Sequence, residues 1–283
     1  MTIDYEKAIN LRVDGRKFSY SKRDSIIYAL GVGFGSDPAN EKELRFVYEE
    51  NLLAAPTMAT VVAWGADEME RTGIDFSMLV AGEQRLQLHD TLPPCGEISA
   101  SWSIREIVDK GPGKGALIIH EYEIADAATG HRLATLGRTS FARADGGFGG
   151  PSNGAPEPHA IPARSPDMEI RVSVLPQQAL IYRLSGDANP LHVDPATARK
   201  AGFDRPILHG LGTYGIVGRM LLEAYCDYEP AGLKVLNARF SAPVLPGDEI
   251  TLATWRDGQV VSFEARVAER KAVVLRNGKA VIG

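Results

Sequence analysis

Three short stretches of this chain recur in the same order at nearly one spacing, and that repeat limits the fold more than any other feature. Ile27-Tyr28-Ala29-Leu30 returns 154 residues later as Ile181-Tyr182-Arg183-Leu184, and Arg85-Leu86 returns at the same spacing as Arg239-Phe240. Leu92-Pro93-Pro94-Cys95-Gly96-Glu97-Ile98 resembles Leu245-Pro246-Gly247-Asp248-Glu249-Ile250, with the two glutamates 152 residues apart. Each match is weak alone; in one order at one spacing they indicate two copies of a single fold. The length agrees, since 283 residues is twice the ~150 expected of one domain. Between the copies, Asp145-Gly146-Gly147-Phe148-Gly149-Gly150-Pro151-Ser152-Asn153-Gly154-Ala155-Pro156-Glu157-Pro158 is too rich in Gly and Pro for a regular element and reads as a linker. The expected organisation is a first domain over 1–150, a linker over 151–166 and a second domain over 167–283.

Within the second half, 175–186 reads as a short helix, with Pro176 near its start and Gly186 at its end. A second small helix covers 194–202, with Asp194 as cap, Pro195 in the first turn and Gly202 at the stop. The stretch 210–225 is longer and apolar. Gly212, Gly215 and Gly218 leave a strip without side chains along it, which suits a helix lying close to a sheet wrapped around it. Alternating runs follow at 234–240, 249–255, 260–267 and 272–276, punctuated by turns at Pro246-Gly247-Asp248, Asp257-Gly258 and Asn277-Gly278. The first half repeats the plan, with 51–64 in place of the long helix and strands at 97–107, 116–125 and 132–143. A helix followed by an antiparallel meander, twice, is an α+β fold.

A net charge of −5 argues against nucleic acid as a partner, which calls for a basic face. Cys95 and Cys226 are too few for a disulfide framework and lack metal-ligand spacing. The chain opens without a basic-apolar leader, and no apolar run reaches the ~18 residues of a membrane span, so a cytoplasmic protein with no membrane partner is expected. HExxH and Walker motifs are missing from the sequence, leaving metal and nucleotide chemistry without support.

The chemistry gathers in Tyr182-Arg183-Leu184-Ser185-Gly186-Asp187-Ala188-Asn189-Pro190-Leu191-His192 and in His209-Gly210. A carboxylate, a carboxamide and an imidazole stand within six residues. Asp and Asn also cap ordinary turns with their own side chains, which is the plain alternative. Pro190 tips the balance: it holds its own φ and extends the residue before it, so Asp187, Asn189 and His192 keep one arrangement, as acid–base chemistry requires. Gly210 would act through its N–H, one of the unsatisfied donors of a helix start, where a substrate oxygen can approach. His209 is read as a capping or supporting residue. Lys110 sits on a Gly-rich loop, Val108-Asp109-Lys110-Gly111-Pro112-Gly113-Lys114-Gly115, which by itself is an ordinary solvated hairpin tip.

The 182–192 segment resembles the signature of the (R)-specific enoyl-CoA hydratases, the hydratase 2 or MaoC-like dehydratase family. Asp204-Arg205-Pro206-Ile207-Leu208-His209-Gly210-Leu211 and Ala238-Arg239-Phe240-Ser241-Ala242-Pro243-Val244-Leu245-Pro246-Gly247 are similar to two further family blocks. The likeness extends to Tyr28-Ala29-Leu30-Gly31-Val32-Gly33, Ile107-Val108-Asp109-Lys110 and Gly146-Gly147-Phe148-Gly149-Gly150, and so covers essentially the whole chain. It implies two tandem hot-dog folds, each a long helix wrapped by an antiparallel sheet, with only the second catalytic. Where the second half has its Asp and His, the first has Val32-Gly33-Phe34-Gly35-Ser36-Asp37-Pro38, without a histidine.

The implied activity is reversible hydration of a trans-2-enoyl-CoA to the (3R)-3-hydroxyacyl-CoA in fatty acid or sterol side-chain metabolism. No cofactor or metal is called for, and a homodimer is the implied assembly. Asp187 and His192 match the catalytic pair, Asn189 the residue that orients it, and Gly210 the oxyanion donor. Ala81, Gly82, Lys110, Ala188, Pro190, Leu191, His209 and Phe240 match positions around the acyl-CoA. Ala81 stands where relatives carry a histidine. A hot-dog acyl-CoA thioesterase is the alternative that fold alone leaves open. Pro56 should kink or shorten the first half's helix, opening a void that would receive the acyl chain.

Overall fold

The computed structural model describes residues 3–283. In chain order its helices and strands are α1 (Tyr5–Ile9), β1 (Arg12–Tyr20), α2 (Lys22–Gly31), α3 (Glu41–Leu44), β2 (Leu79–Leu88), β3 (Gly96–Asp109), β4 (Ala116–Asp126), β5 (Arg132–Ala142), β6 (Met168–Ser173), α4 (Gln178–Tyr182), α5 (Pro195–Lys200), α6 (Gly210–Cys226), β7 (Leu233–Phe240), β8 (Glu249–Asp257), β9 (Val260–Val267) and β10 (Ala272–Ile282), joined by short 3₁₀ turns. No helix among the described residues is long and apolar enough to cross a membrane.

All ten strands form one antiparallel sheet in the order β1-β3-β4-β5-β2-β7-β10-β9-β8-β6. The order reads the same from either edge once each strand is replaced by its counterpart in the other half. At the centre, Gln84 lies opposite Ala238, Arg85 opposite Asn237, and Glu83 opposite Arg239. Gln84 and Ala238 are themselves 154 residues apart. The repeat spacing thus also sets the register at which the two copies join, with a pseudo-twofold axis through that pair.

Alternation is clear where one face is buried. In β3, Ile98, Ala100, Trp102 and Ile104 point inward until a register shift before Glu106; in β9, Val261, Phe263, Ala265 and Val267 do the same. The two strands at the sheet edges carry no such signal. Only Tyr20 of β1 is buried and no residue of β6, so neither shows in the sequence pattern. Asn277-Gly278, expected as a turn, instead forms a bulge inside β10. Asn277 takes a left-handed φ of 54° there, and a Cβ at 278 would collide with the Phe263 ring.

Helix α6 covers the expected stretch, but its glycine strip meets more than a sheet. A Cβ at Gly215 would lie 2.5 Å from Val32 Cγ1 and 2.9 Å from the Tyr28 hydroxyl; at Gly218 it would lie 2.6 Å from Thr57 Cγ2 and 3.3 Å from Leu236 Cδ2. The strip lets the first half's α2 and its buried 3₁₀ turn press onto α6. The expected helix over 51–64 is not present: Pro56–Thr60 is a single 3₁₀ turn with Pro56 at its first position. Thr60 bonds its hydroxyl to the Thr57 carbonyl, and Val61, at φ −125°, leaves helical geometry. Helices α2 and α4 meet across the pseudo-axis, where Gln178 Nε2 donates to the carbonyls of Leu30 and Gly31 at 2.8 and 2.7 Å.

No helix or strand lies between Ala142 and Met168, yet this stretch is not a loose tether. The Asp109 carboxylate accepts the N–H groups of Gly111, Gly147 and Gly149. Further along, Arg239 bonds the Pro156 carbonyl and Asn277 the His159 carbonyl, so the segment is strapped to both halves.

Candidate active site

The loop after α4 is shaped by its own side chains. Gly186 adopts φ +130°, and a Cβ there would lie 2.7 Å from Cγ of Trp64, which belongs to the first half. Asp187 Oδ1 accepts the Asn189 N–H at 3.0 Å; Asn189 Oδ1 accepts the Leu191 N–H at 3.0 Å and caps the 3₁₀ turn Pro190–His192. Asn189 thus orients the loop through the backbone, as an Asx cap does.

His192 is 7% exposed, and its Nδ1–H donates to the Ile207 carbonyl at 2.9 Å. A carbonyl can only accept, so that bond fixes the tautomer and leaves Nε2 with its lone pair free. His209 is 1% exposed; its Nε2–H donates to the Asp187 carbonyl at 3.1 Å, and its ring stacks on His192 with centroids 3.6 Å apart and planes 26° apart. Burial is the chief reason both imidazoles are harder to protonate than a free one. His209 is pushed down to about 4, helped by its stacked neighbour. For His192 the downward push is opposed by the Ile207 bond and the Asp187 charge. Both rings are therefore neutral near pH 7, and His192 Nε2 is a base beside a carboxylate.

Asp187, His192 and His209 each bring one potential ligand atom within 4.8 Å of the other two, the sole such trio among the described residues. Stacked rings hold their in-plane lone pairs in nearly parallel planes, and those do not converge as tetrahedral zinc demands. The trio suits proton transfer better than metal binding.

Gly210 opens α6. The first bond inside that helix runs from the Thr213 N–H to the His209 carbonyl at 3.0 Å, so the N–H groups of the opening turn precede the ladder. A Cβ at 210 would lie 3.3 Å from Phe240 Cε1; glycine lets the helix start tuck under that ring. Phe240 ends β7, and continuing the β2–β7 register one step past Glu83 opposite Arg239 brings it level with Gly82. Gly82 sits at a register shift in β2, where a Cβ would lie 3.0 Å from the Thr139 carbonyl, and Ala81 beside it is exposed.

Ala188 and Pro190 are exposed on the loop and Leu191 is half-buried. Lys110 is exposed on the β3–β4 turn, at the sheet end where β2 begins. No hydrogen bond or ion pair ties its side chain to the Asp187–His192 loop among the described residues. Sequence reasoning missed Trp64 over Gly186 and Arg138, whose guanidinium lies 5.7 Å from the Trp64 ring centroid. No motif marks either, because chain folding alone brings them to the loop.

The matching region of the first half lacks these groups. Gly33 stands 154 residues before Asp187, and Pro56, which has no N–H, stands 154 before Gly210. A Cβ at Gly33 would lie 3.5 Å from Arg219 Nε, and Arg219 pairs with Glu43 at 2.6 Å, both nearly fully buried. An ion pair fills the place of the missing acid and base.

Comparison with known proteins agrees with this geometry. Residues 158–277 match the MaoC-like domain, and residues 18–144 match the N-terminal domain of MFE-2 hydratase 2. The chain belongs to the MaoC-like hydratase 2 family, in its two-domain form. It is 37% identical over 282 residues to the enoyl-CoA hydratase ChsH3 of Mycobacterium tuberculosis, covering 97% of each chain. It is 36% identical to the mouse peroxisomal multifunctional enzyme type 2, covering 98% of this chain and 38% of that one. The crystal structure of a MaoC-like dehydratase from Phytophthora capsici superposes with a TM-score of 0.87 at 32% identity, covering 98% of both chains. A Mycobacterium tuberculosis protein described as a double hot-dog superposes at 0.58 with 14% identity, a likeness of fold alone. The fold is the double hot-dog, and the family is one of hydro-lyases.

Proposed function

We propose that the protein adds water reversibly across a trans-2-enoyl-CoA to give the (3R)-3-hydroxyacyl-CoA. The observation that carries this reading is the buried, neutral His192, its Nδ1–H locked on Ile207 and its Nε2 free, beside Asp187 and the N-terminus of α6. The thioester oxygen accepts the Gly210 N–H, which draws electrons from the β-carbon. Asp187 and His192 hold one water. A proton leaves it as its oxygen bonds to the β-carbon, and a proton is delivered to the α-carbon. The thioester serves as the electron sink, so the reaction balances without a cofactor. How acid and base roles divide between two interacting groups is a property of the pair.

Asp187→Ala and His192→Ala are each expected to lower turnover ~10²–10⁴-fold, the usual worth of a positioned acid or base. Near-wild-type hydration of crotonyl-CoA by either variant, followed as loss of the enoyl-thioester absorbance, would overturn the mechanism. Release of free CoA from saturated and 2-unsaturated acyl-CoAs alike, with no 3-hydroxyacyl-CoA formed, would indicate the thioesterase instead. A cytoplasmic homodimer is the expected form, tested by cell fractionation and by light scattering on the purified protein.

A further inference from the structure

In the first half, the space a central helix would fill holds a polar cluster that hydration does not use. Arg138, on β5, donates from Nε to Gln84 Oε1 at 3.1 Å, from Nη2 to the Thr60 carbonyl at 2.6 Å and from Nη1 to the Tyr122 hydroxyl at 3.4 Å. Tyr122 in turn donates to Asp67 Oδ2 at 2.6 Å. The guanidinium lies 4.9 Å from the Tyr122 ring centroid and 5.7 Å from that of Trp64. A guanidinium has five N–H donors, so two remain. Arg138 is half-buried, and no carboxylate pairs with it directly among the described residues.

The cluster reaches the catalytic loop. Trp64 is 38% exposed and covers Gly186, the residue before Asp187. A half-buried cation with spare donors between two aromatic faces is a poor end-wall for a methyl group. It is a good one for an anion, because a guanidinium matches a carboxylate in charge and fork geometry.

We propose that Trp64 and Arg138 form a distal acyl subsite that selects enoyl-CoA chains ending in a carboxylate. Trp64 packs against the methylenes that follow the reacting carbons, and Arg138 offers its spare N–H groups to the terminal carboxylate. The inference rests on the hydration reading. Its test compares trans-2-enoyl-CoAs of equal length, from C6 to C12, ending in methyl or in carboxylate, with crotonyl-CoA as reference.

The carboxylate-ended chain is expected to lead in kcat/KM by about tenfold or more at the best length, the worth of a charge-assisted hydrogen bond. Arg138→Met should remove the preference and Arg138→Lys retain part of it. The ratio of two substrates in one sample does not depend on how much of a variant is folded. A wild-type preference for the methyl-ended chain at every length, or an unchanged ratio in Arg138→Met, would overturn the subsite while crotonyl-CoA turnover left hydration standing. Wild-type protein that turned over none of the substrates would overturn both.

Discussion

Removing Arg219 tests whether the ion pair between the two halves is structural. Arg219 and Glu43 are 6% and 2% exposed, and Glu43 also accepts the Gly35 N–H at 2.9 Å and the Tyr228 hydroxyl at 3.2 Å. Arg219→Met keeps the length and apolar stem of the side chain but leaves Glu43 buried without its cation. Breaking a buried pair in this way costs about 3–5 kcal/mol, because the remaining charge has lost its compensation. In a chain of this size, where 1 kcal/mol shifts the melting temperature by a little under 2 °C, that corresponds to a drop of roughly 5–8 °C.

Urea unfolding followed by tryptophan fluorescence reads the loss, and crotonyl-CoA turnover measured well below the transition should be unchanged. The double variant Arg219→Met/Glu43→Leu removes the stranded charge, so it should recover much of the stability. A single-variant loss under about 1 kcal/mol, the level of a surface pair, would refute the reasoning. So would a double variant no more stable than the single.

Gly210→Pro should remove the proposed oxyanion donor while leaving α6 in place, since proline suits the first helical position and His209 before it, at φ −56° and ψ 141°, is already extended. A fall of ~10²–10³ in kcat is expected. Gly210→Ala adds the same Cβ beside Phe240 but keeps the N–H, so equal damage in both would mean packing rather than the donor is at issue. Because His192 titrates below the usual 6.5, the acid limb of kcat/KM should be centred below pH 6.5; a limb centred at or above 6.5 would contradict the buried neutral imidazole. His209 binds its proton near 4 when folded and near 6.5 when unfolded, so its contribution to stability is complete above 6.5 and is lost as pH falls towards 4. That loss amounts to about 3 kcal/mol at most, and His209→Gln should flatten the slope of urea midpoint against pH in this window. Lys110→Ala is expected to raise KM for acyl-CoA more than it lowers kcat, because its exposed place at the sheet end fits a CoA phosphate contact; a kcat effect alone would argue against that role.

The sequence by itself determined the two-copy plan, the long helix, every inner strand except β2 (Leu79–Leu88) and the residues of the Asp187–His192 loop. These are local signals: a repeat spacing, a period of two, caps, and a proline that stiffens Asp187 to His192. It failed at β1 and β6, because edge strands bury almost nothing and so carry no alternation. It failed at 51–64, where small apolar residues read as a buried helix until Pro56 and side-chain bonding cut it to one turn. It failed at Asn277-Gly278, since a left-handed Asn277 serves a bulge as well as a turn.

What only the tertiary structure decided lies between residues far apart in the chain. The Ile207 carbonyl that sets the tautomer of His192, the His209 ring stacked on it, and Trp64 over Gly186 are contacts no spacing encodes. The same holds for the joining of the copies. A repeat of 154 residues is compatible with two beads on a string, whereas pairing Gln84 with Ala238 merges them into one sheet. Packing of α2 and the Pro56 turn against the glycine strip of α6 then holds the first half, Trp64 included, against the Asp187–His192 loop. Position along the chain names Asp187, His192 and Gly210; their protonation, tautomer and surroundings come from burial, which is a property of the folded whole.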